Sequence, residues 1–143
     1  MFLGTYEHAI DDKGRLAIPA RFRGELEDGF YLARGLDHCL MLLKPVEFNE
    51  LAEKVTANSI FDDSARHIQL HVASGALAVH PDRLGRVVIP QHLRDFAGLT
   101  TEVAVIGVFS RIEVWDRQRW LDQCAKTERN MAELTQHLAG VKL

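Results

Sequence analysis

Asp11-Asp12-Lys13-Gly14-Arg15-Leu16-Ala17-Ile18-Pro19-Ala20-Arg21-Phe22-Arg23 returns later in the chain as Asp82-Arg83-Leu84-Gly85-Arg86-Val87-Val88-Ile89-Pro90-Gln91-His92-Leu93-Arg94. Both stretches read D-x-x-G-R-x-x-I-P-x-x-x-R. Six positions are identical at a constant offset of 71 residues: Asp11/Asp82, Gly14/Gly85, Arg15/Arg86, Ile18/Ile89, Pro19/Pro90 and Arg23/Arg94. An internal repeat governs the architecture, because each copy is a small unit that needs its neighbour to bury an apolar face.

The physics of one copy is local. Asp opens a tight turn, since its carboxylate can accept from backbone N–H groups ahead of it. Gly, three residues on, supplies a positive φ that a side chain resists. Arg follows, with a side chain long enough to stand clear of a sheet. The apolar runs Leu16-Ala17-Ile18 and Val87-Val88-Ile89 predict short buried strands. Pro suits the first position of a helix, where its missing N–H costs nothing.

The repeat extends beyond the motif. Phe2 to Ile10 predicts a lead-in strand, matched by Ala76 to His80, and helices are predicted from Ala20 to about Leu26 and from Gln91 to Ala97. Strands Phe30–Ala33 and Cys39–Leu43 correspond to Val103–Ile106 and Ile112–Trp115, with the offset now 72. Pro45 starts a helix whose Phe48, Leu51, Ala52 and Val55 share one face. Asp116 is the expected N-cap of its counterpart. Trp120, Leu121, Cys124 and Ala125 line that helix, and Met131, Leu134 and Leu138 prolong it. Asp62 or Asp63 caps a linking helix from Ser64 to about Ser74. The order is β-β-α-β-β-α, a connecting helix, then the same again.

The expected organisation is a first unit at 1–60, a connecting helix at 61–75 and a second unit at 76–143. Neither unit can bury much apolar area alone. The fold class expected is therefore α+β: one intertwined β-barrel core built from both halves, with the longer helices outside. That puts both turns near one pseudo-two-fold axis, with Arg15 and Arg86 on a common face.

Composition bounds the function. The 143 residues suit one ordinary domain or two very small ones. No apolar run reaches the roughly 18 residues of a membrane span, and Met1 to His8 lacks the pattern of a signal peptide. Cys39 and Cys124 are isolated in sequence; they can pair once, but equally suit a reducing compartment. A cytoplasmic protein is expected. Net charge is −3, but each motif stretch is +2, which leaves −7 for the rest. An acidic body with two basic spots fits phosphate contact at the spots and a strong salt dependence.

These residues resemble the MraZ family, bacterial relatives of the transition-state regulators with swapped-hairpin AbrB domains. A single D-x-x-G-R is a common turn. Two in register, each followed by Ile-Pro and Arg, carry the resemblance across nearly the whole chain, and Trp115-Asp116 and Gly98-Leu99-Thr100 share it. The resemblance implies a cytoplasmic, nucleoid-associated transcriptional regulator. It would bind double-stranded DNA at repeated elements upstream of the division and cell-wall cluster, which contains its own coding region. It would act as a ring-shaped homo-oligomer, with no cofactor and no membrane partner. Carried over by motif position, the functional residues are Asp11, Gly14 and Arg15, and Asp82, Gly85 and Arg86. Lys13 is a further DNA-binding candidate. Its counterpart is Leu84, beside which Arg83 offers a compensating charge.

Other readings are weighed against this one. Asp11 and Asp82 are expected to hold the turns. Arg23 and Arg94 are expected to form internal salt bridges, and Trp115 and Trp120 to lie in the core or a subunit contact. His67 and His71 have a zinc-compatible i, i+4 spacing, but the Glu of H-E-x-x-H is absent. With Asp62 or Asp63 they define an alternative, a small metal-dependent hydrolase. A second alternative is the DNA-binding antidote of a toxin–antitoxin pair. Such antidotes usually carry one unit and a disordered tail, whereas two complete units are present here.

Overall fold

The computed structural model describes residues 1–139; the last four residues of the expected second unit lie outside them. The elements are β1 (Phe2–Ala9), β2 (Arg15–Ala17), α1 (Ala20–Leu26), β3 (Phe30–Arg34), β4 (Leu40–Leu43), α2 (Pro45–Thr56), α3 (Asp63–Gly75), β5 (Leu77–Val79), β6 (Arg86–Val88), α4 (Gln91–Ala97), β7 (Glu102–Phe109), β8 (Arg111–Asp116), α5 (Arg117–Arg129) and α6 (Met131–His137). The first six and those from β5 to α5 follow the same order, with α3 between them.

Six strands form one antiparallel sheet in the order β1-β7-β8-β4-β3-β5, and β2 pairs with β6 as a separate ribbon. Exchanging each strand for its repeat counterpart turns the sheet order into its own reverse. The register obeys the same symmetry. Leu16 pairs with Val87 across the ribbon, and Met41 with Glu113 across β4 and β8; each residue faces its own counterpart. A pseudo-two-fold axis therefore passes through both pairs. Both halves contribute to every major layer, since β1–β7, β4–β8, β3–β5 and β2–β6 all join one half to the other.

The expected barrel does not close. β1 and β5 remain the sheet's edges. The ribbon touches the sheet through an isolated bridge between Ile10 and Leu16 and through a hydrogen bond between His8 Nδ1 and the Ala17 carbonyl at 2.7 Å, with no strand ladder between them among the described residues. β2 and β6 have three residues each and use their hydrogen bonds on one another. Too little paired backbone is left to join the two edges.

Alternation along the strands sorts side chains onto two faces. Phe2, Phe30, Leu32, Leu40, Leu42, Val103, Val105, Ile112 and Val114 face the main core. Leu16, Ile18, Val87 and Ile89 close it from the ribbon side, with Phe22 and Leu26 of α1 and Leu93 and Ala97 of α4. The short helices are thus core elements, not peripheral ones. Phe22 stacks edge-on against both Phe2 and Tyr6, with ring centroids 5.3 Å apart in each pair. On the other face, Phe48 and Leu51 of α2 cover Ala33, Met41 and Leu43, and Trp120 of α5 meets Ala104, Ile106 and Trp115.

Local signals explain most boundaries. Pro45 occupies the first turn of α2. The Asp62 carboxylate accepts from Ala65 N at the start of α3, and that of Asp116 from Arg119 N at the start of α5. Pro19 and Pro90 sit at the N-cap, one residue before the expected position. The single long C-terminal helix is also corrected. Asn130, at φ −102° and ψ 9°, ends α5 and precedes α6.

Candidate nucleic-acid interface

The two D-x-x-G-R turns are built alike. Asp11 Oδ1 accepts from the backbone N–H groups of Lys13 (2.9 Å) and Arg15 (2.8 Å). Asp82 Oδ1 accepts from Leu84 and Arg86, both at 2.9 Å. Backbone bonds lock each turn further: Gly14 N–H donates to Asp11 O at 3.0 Å, and Gly85 N–H to Asp82 O at 2.9 Å. The glycines stand at φ 78° and 76°, where a side chain is strained.

The second carboxylate oxygen aims the arginine. Arg15 Nε donates to Asp11 Oδ2 at 2.6 Å and Arg86 Nε to Asp82 Oδ2 at 2.8 Å. Among the described residues, no acceptor engages the Nη atoms of either arginine, so the ends of both forks are open. Backbone donation from the arginine is the main cause that holds both carboxyls below the usual carboxylate range; burial opposes it, and the arginine's guanidinium adds to the lowering. Each aspartate is therefore ionised at neutral pH and keeps its arginine oriented.

The ribbon puts the arginines together. Arg15 lies opposite Val88 and Ala17 opposite Arg86. Directly paired residues, and residues two apart on a strand, share a face. Arg15, Ala17, Arg86 and Val88 therefore form the outer face, while Leu16 and Val87, at 1% and 4% exposure, point into the core. The two arginines are diagonal neighbours, with backbones about 7–8 Å apart by strand geometry. Lys13 and Arg83 are exposed at the turns on either side of them.

Each turn leans on the opposite unit. Ile18 N–H donates to Gly85 O at 2.9 Å, and Ile89 N–H to Gly14 O at 2.8 Å. Arg23 Nε donates to Ile18 O at 2.7 Å while its side chain covers Gly85; Arg94 Nε donates to Ile89 O at 2.9 Å while covering Gly14. The salt bridges expected of Arg23 and Arg94 are absent among the described residues. Both instead brace the outward-facing turns. The one signal for this was their identical place in both copies, which points to a shared job without naming it.

The MraZ family model, whose description is antitoxin-like, matches the chain twice, over residues 1–71 and 72–141. The chain belongs to the MraZ family. Among its MraZ relatives is the transcriptional regulator MraZ of Roseiflexus castenholzii (strain DSM 13941 / HLO8), 42% identical over 142 residues, 99% of each chain. The transcriptional regulator MraZ of Roseiflexus sp. (strain RS-1) is similar to the same degree and extent. Membership in a family of transcriptional regulators accords with the two-fold display of arginines on one face.

The other candidate residues lie apart from that face. His67 Nδ1 is 3.5 Å from Asp63, and His71 Nε2 is 2.9 Å from the Gly35 carbonyl, so the two histidines take separate partners. Among the described residues, no group of three or more His, Cys, Asp or Glu side chains is placed to hold an ion. Cys39 and Cys124 are both free thiols. Trp115 is buried and meets Trp120 edge-on at 5.6 Å. No helix among the described residues is long and apolar enough to cross a membrane.

Proposed function

We propose that this chain is a sequence-specific DNA-binding transcriptional regulator, not an enzyme, and that its contact surface is the outer face of the β2–β6 ribbon. The observation that carries the proposal is the pair of guanidinium groups held through Nε by Asp11 and Asp82, with open Nη ends on one exposed face. A planar fork presented end-on fits the O6/N7 edge of guanine. The separation of the arginines, about 7–8 Å at the backbone, suits base pairs two steps apart, at about 3.4 Å per step along one strand. Lys13 and Arg83 contact phosphates on either side. The exchange of strand partners between the halves supports reading them as swapped-hairpin units.

Each bidentate contact is worth about 1–3 kcal/mol of discrimination. Two such contacts per chain make a weak monomeric binder, especially on a body of net charge −3. Several chains acting on a repeated site raise avidity by roughly 10²–10⁴. The assembly is a closed, ring-shaped homo-oligomer bound to repeated elements upstream of the division and cell-wall cluster and of its own coding region. It works in the cytoplasm on the nucleoid. The test is a gel shift with that upstream duplex across salt concentrations, using the wild type and Arg15→Ala/Arg86→Ala. Specific, salt-sensitive binding lost in the double variant supports the proposal; retained specific binding overturns it.

A further inference from the structure

The two halves of the ribbon face are not chemically equal. At the first turn the pair before glycine is Asp12-Lys13, and at the second it is Arg83-Leu84. Leu84 is 64% exposed, and Val88, on the ribbon's outer face, is 55% exposed. Their counterparts are Lys13 and Ala17. Val88 gains something from its strand, which favours β-branched residues. Leu84 gains nothing of that kind. It stands in a tight turn, where small and polar residues are favoured, with its backbone N–H held by Asp82 Oδ1 at 2.9 Å. Single exposed apolar side chains are ordinary. This one lies two residues before Arg86 and next to Arg83, on a surface otherwise fitted to a polyanion.

We propose that Leu84, supported by Val88, is a specificity-determining residue that packs against the C5-methyl group of a thymine beside the base pair approached by Arg86. This rests on the DNA-binding reading above and deepens it. The major-groove edge of an A·T pair displays one apolar group, the thymine methyl, and apolar side chains are its complement. A leucine placed among arginines meets that methyl when the arginines dock. At the matching place on the first half, the Lys13 ammonium takes a phosphate. One half of the face then reads hydrophobic shape while the other reads charge. The site recognised by one chain therefore has a direction, despite the pseudo-two-fold symmetry of the backbone.

The test uses the full chain and the duplex it selects from a randomised pool. Each thymine of that duplex is replaced singly by deoxyuridine, which removes only the methyl. Wild-type affinity should fall about fourfold at one thymine, the effect of one buried methyl-sized group. In Leu84→Ala the same replacement should have no effect. Leu84→Lys should lose thymine discrimination and steepen the salt dependence by about one phosphate's worth of slope. Thermal melting of each variant should match the wild type, because the side chain is exposed. A flat deoxyuridine series in the wild type, or a methyl effect that persists in Leu84→Ala, overturns this proposal and leaves DNA binding standing. A chain that selects no duplex overturns both.

Discussion

Arg94 closes over Gly14 of the opposite unit: its guanidinium carbon lies 3.1 Å from the point where a Cβ on that glycine would stand. Arg23 does the same over Gly85, with Nε 2.5 Å from the corresponding point. Each turn that presents an arginine outward is thus backed by another arginine from across the pseudo-dyad.

Alanine at either glycine must meet both a positive φ and this arginine. Left-handed backbone alone costs a side-chain-bearing residue roughly 1–2 kcal/mol. Gly85→Ala is expected to destabilise more than Gly14→Ala, because its neighbour approaches more closely. Urea midpoints of the two variants check the order. Gly24 is the control. It is an α1 residue with open space around its Cβ position and no positive φ, so Gly24→Ala should stabilise, by up to about 1 kcal/mol.

The aspartates should act on binding more than on folding. Asp11→Asn and Asp82→Asn remove the charge that holds Arg15 and Arg86 by Nε and leave the ribbon intact. DNA affinity should fall in each variant while far-ultraviolet circular dichroism is unchanged. Both carboxyls lie below the ordinary aspartate value of 3.8 in the folded chain. Their contribution to stability is therefore present above that value and is lost as pH falls through the lowered folded one. The stability difference between wild type and Asp11→Asn should vanish on that acid limb. A difference that persists in stronger acid would contradict the assignment.

The axis pair offers a packing test. Leu16, at 1% exposure, faces Val87 across the ribbon and seals the core beneath the arginines. Leu16→Ala should cost about 2–5 kcal/mol. With Val87→Ala the costs should deviate from additivity, because the two side chains are directly paired. A double-mutant cycle in urea measures the coupling. A sum of single effects would mean that the ribbon does not pack as described.

The thiols should differ in reactivity. Burial, and then the Glu113 carboxylate, push Cys39 up to about 12. Its Sγ donates to Glu113 Oε1 at 3.6 Å. Cys124 is only half-buried. At mildly alkaline pH iodoacetamide should label Cys124, and Cys39 only after denaturant is added. Above the ordinary thiol value of 9.0 the unfolded chain ionises first, so stability should decline there with rising pH. Cys39→Ser should flatten that decline.

Element order was legible because the repeat supplied two readings of every segment. Pro45, Asp62 and Asp116 marked helix starts by local chemistry, and the structure has them there. The pairing of β1 with β7 was not legible: it depends on how two halves pack, and Phe2 carries no mark of its partner Phe109. The break at Asn130 was hidden because Met131 and Leu134 continue the apolar spacing, although Asn is a known helix-ending residue. The common face of Arg15 and Arg86 followed from the expected dyad. The bracing by Arg23 and Arg94 did not, since a guanidinium bonded to a carbonyl and laid on a glycine looks in sequence like any surface cation.

The Met41–Glu113 pairing has a bearing on how such a chain can change. Were the two halves separate identical subunits, any residue on the symmetry axis would confront itself, and a glutamate there would set carboxylate against carboxylate, an unfavourable cross-strand neighbour. Covalent fusion removes that restriction. Here one half keeps a thioether, and the other carries an acid bonded to Arg111 and Trp115. Joining the halves gave each the liberty to diverge at the seam, and the same liberty set Leu84 where its twin has Lys13.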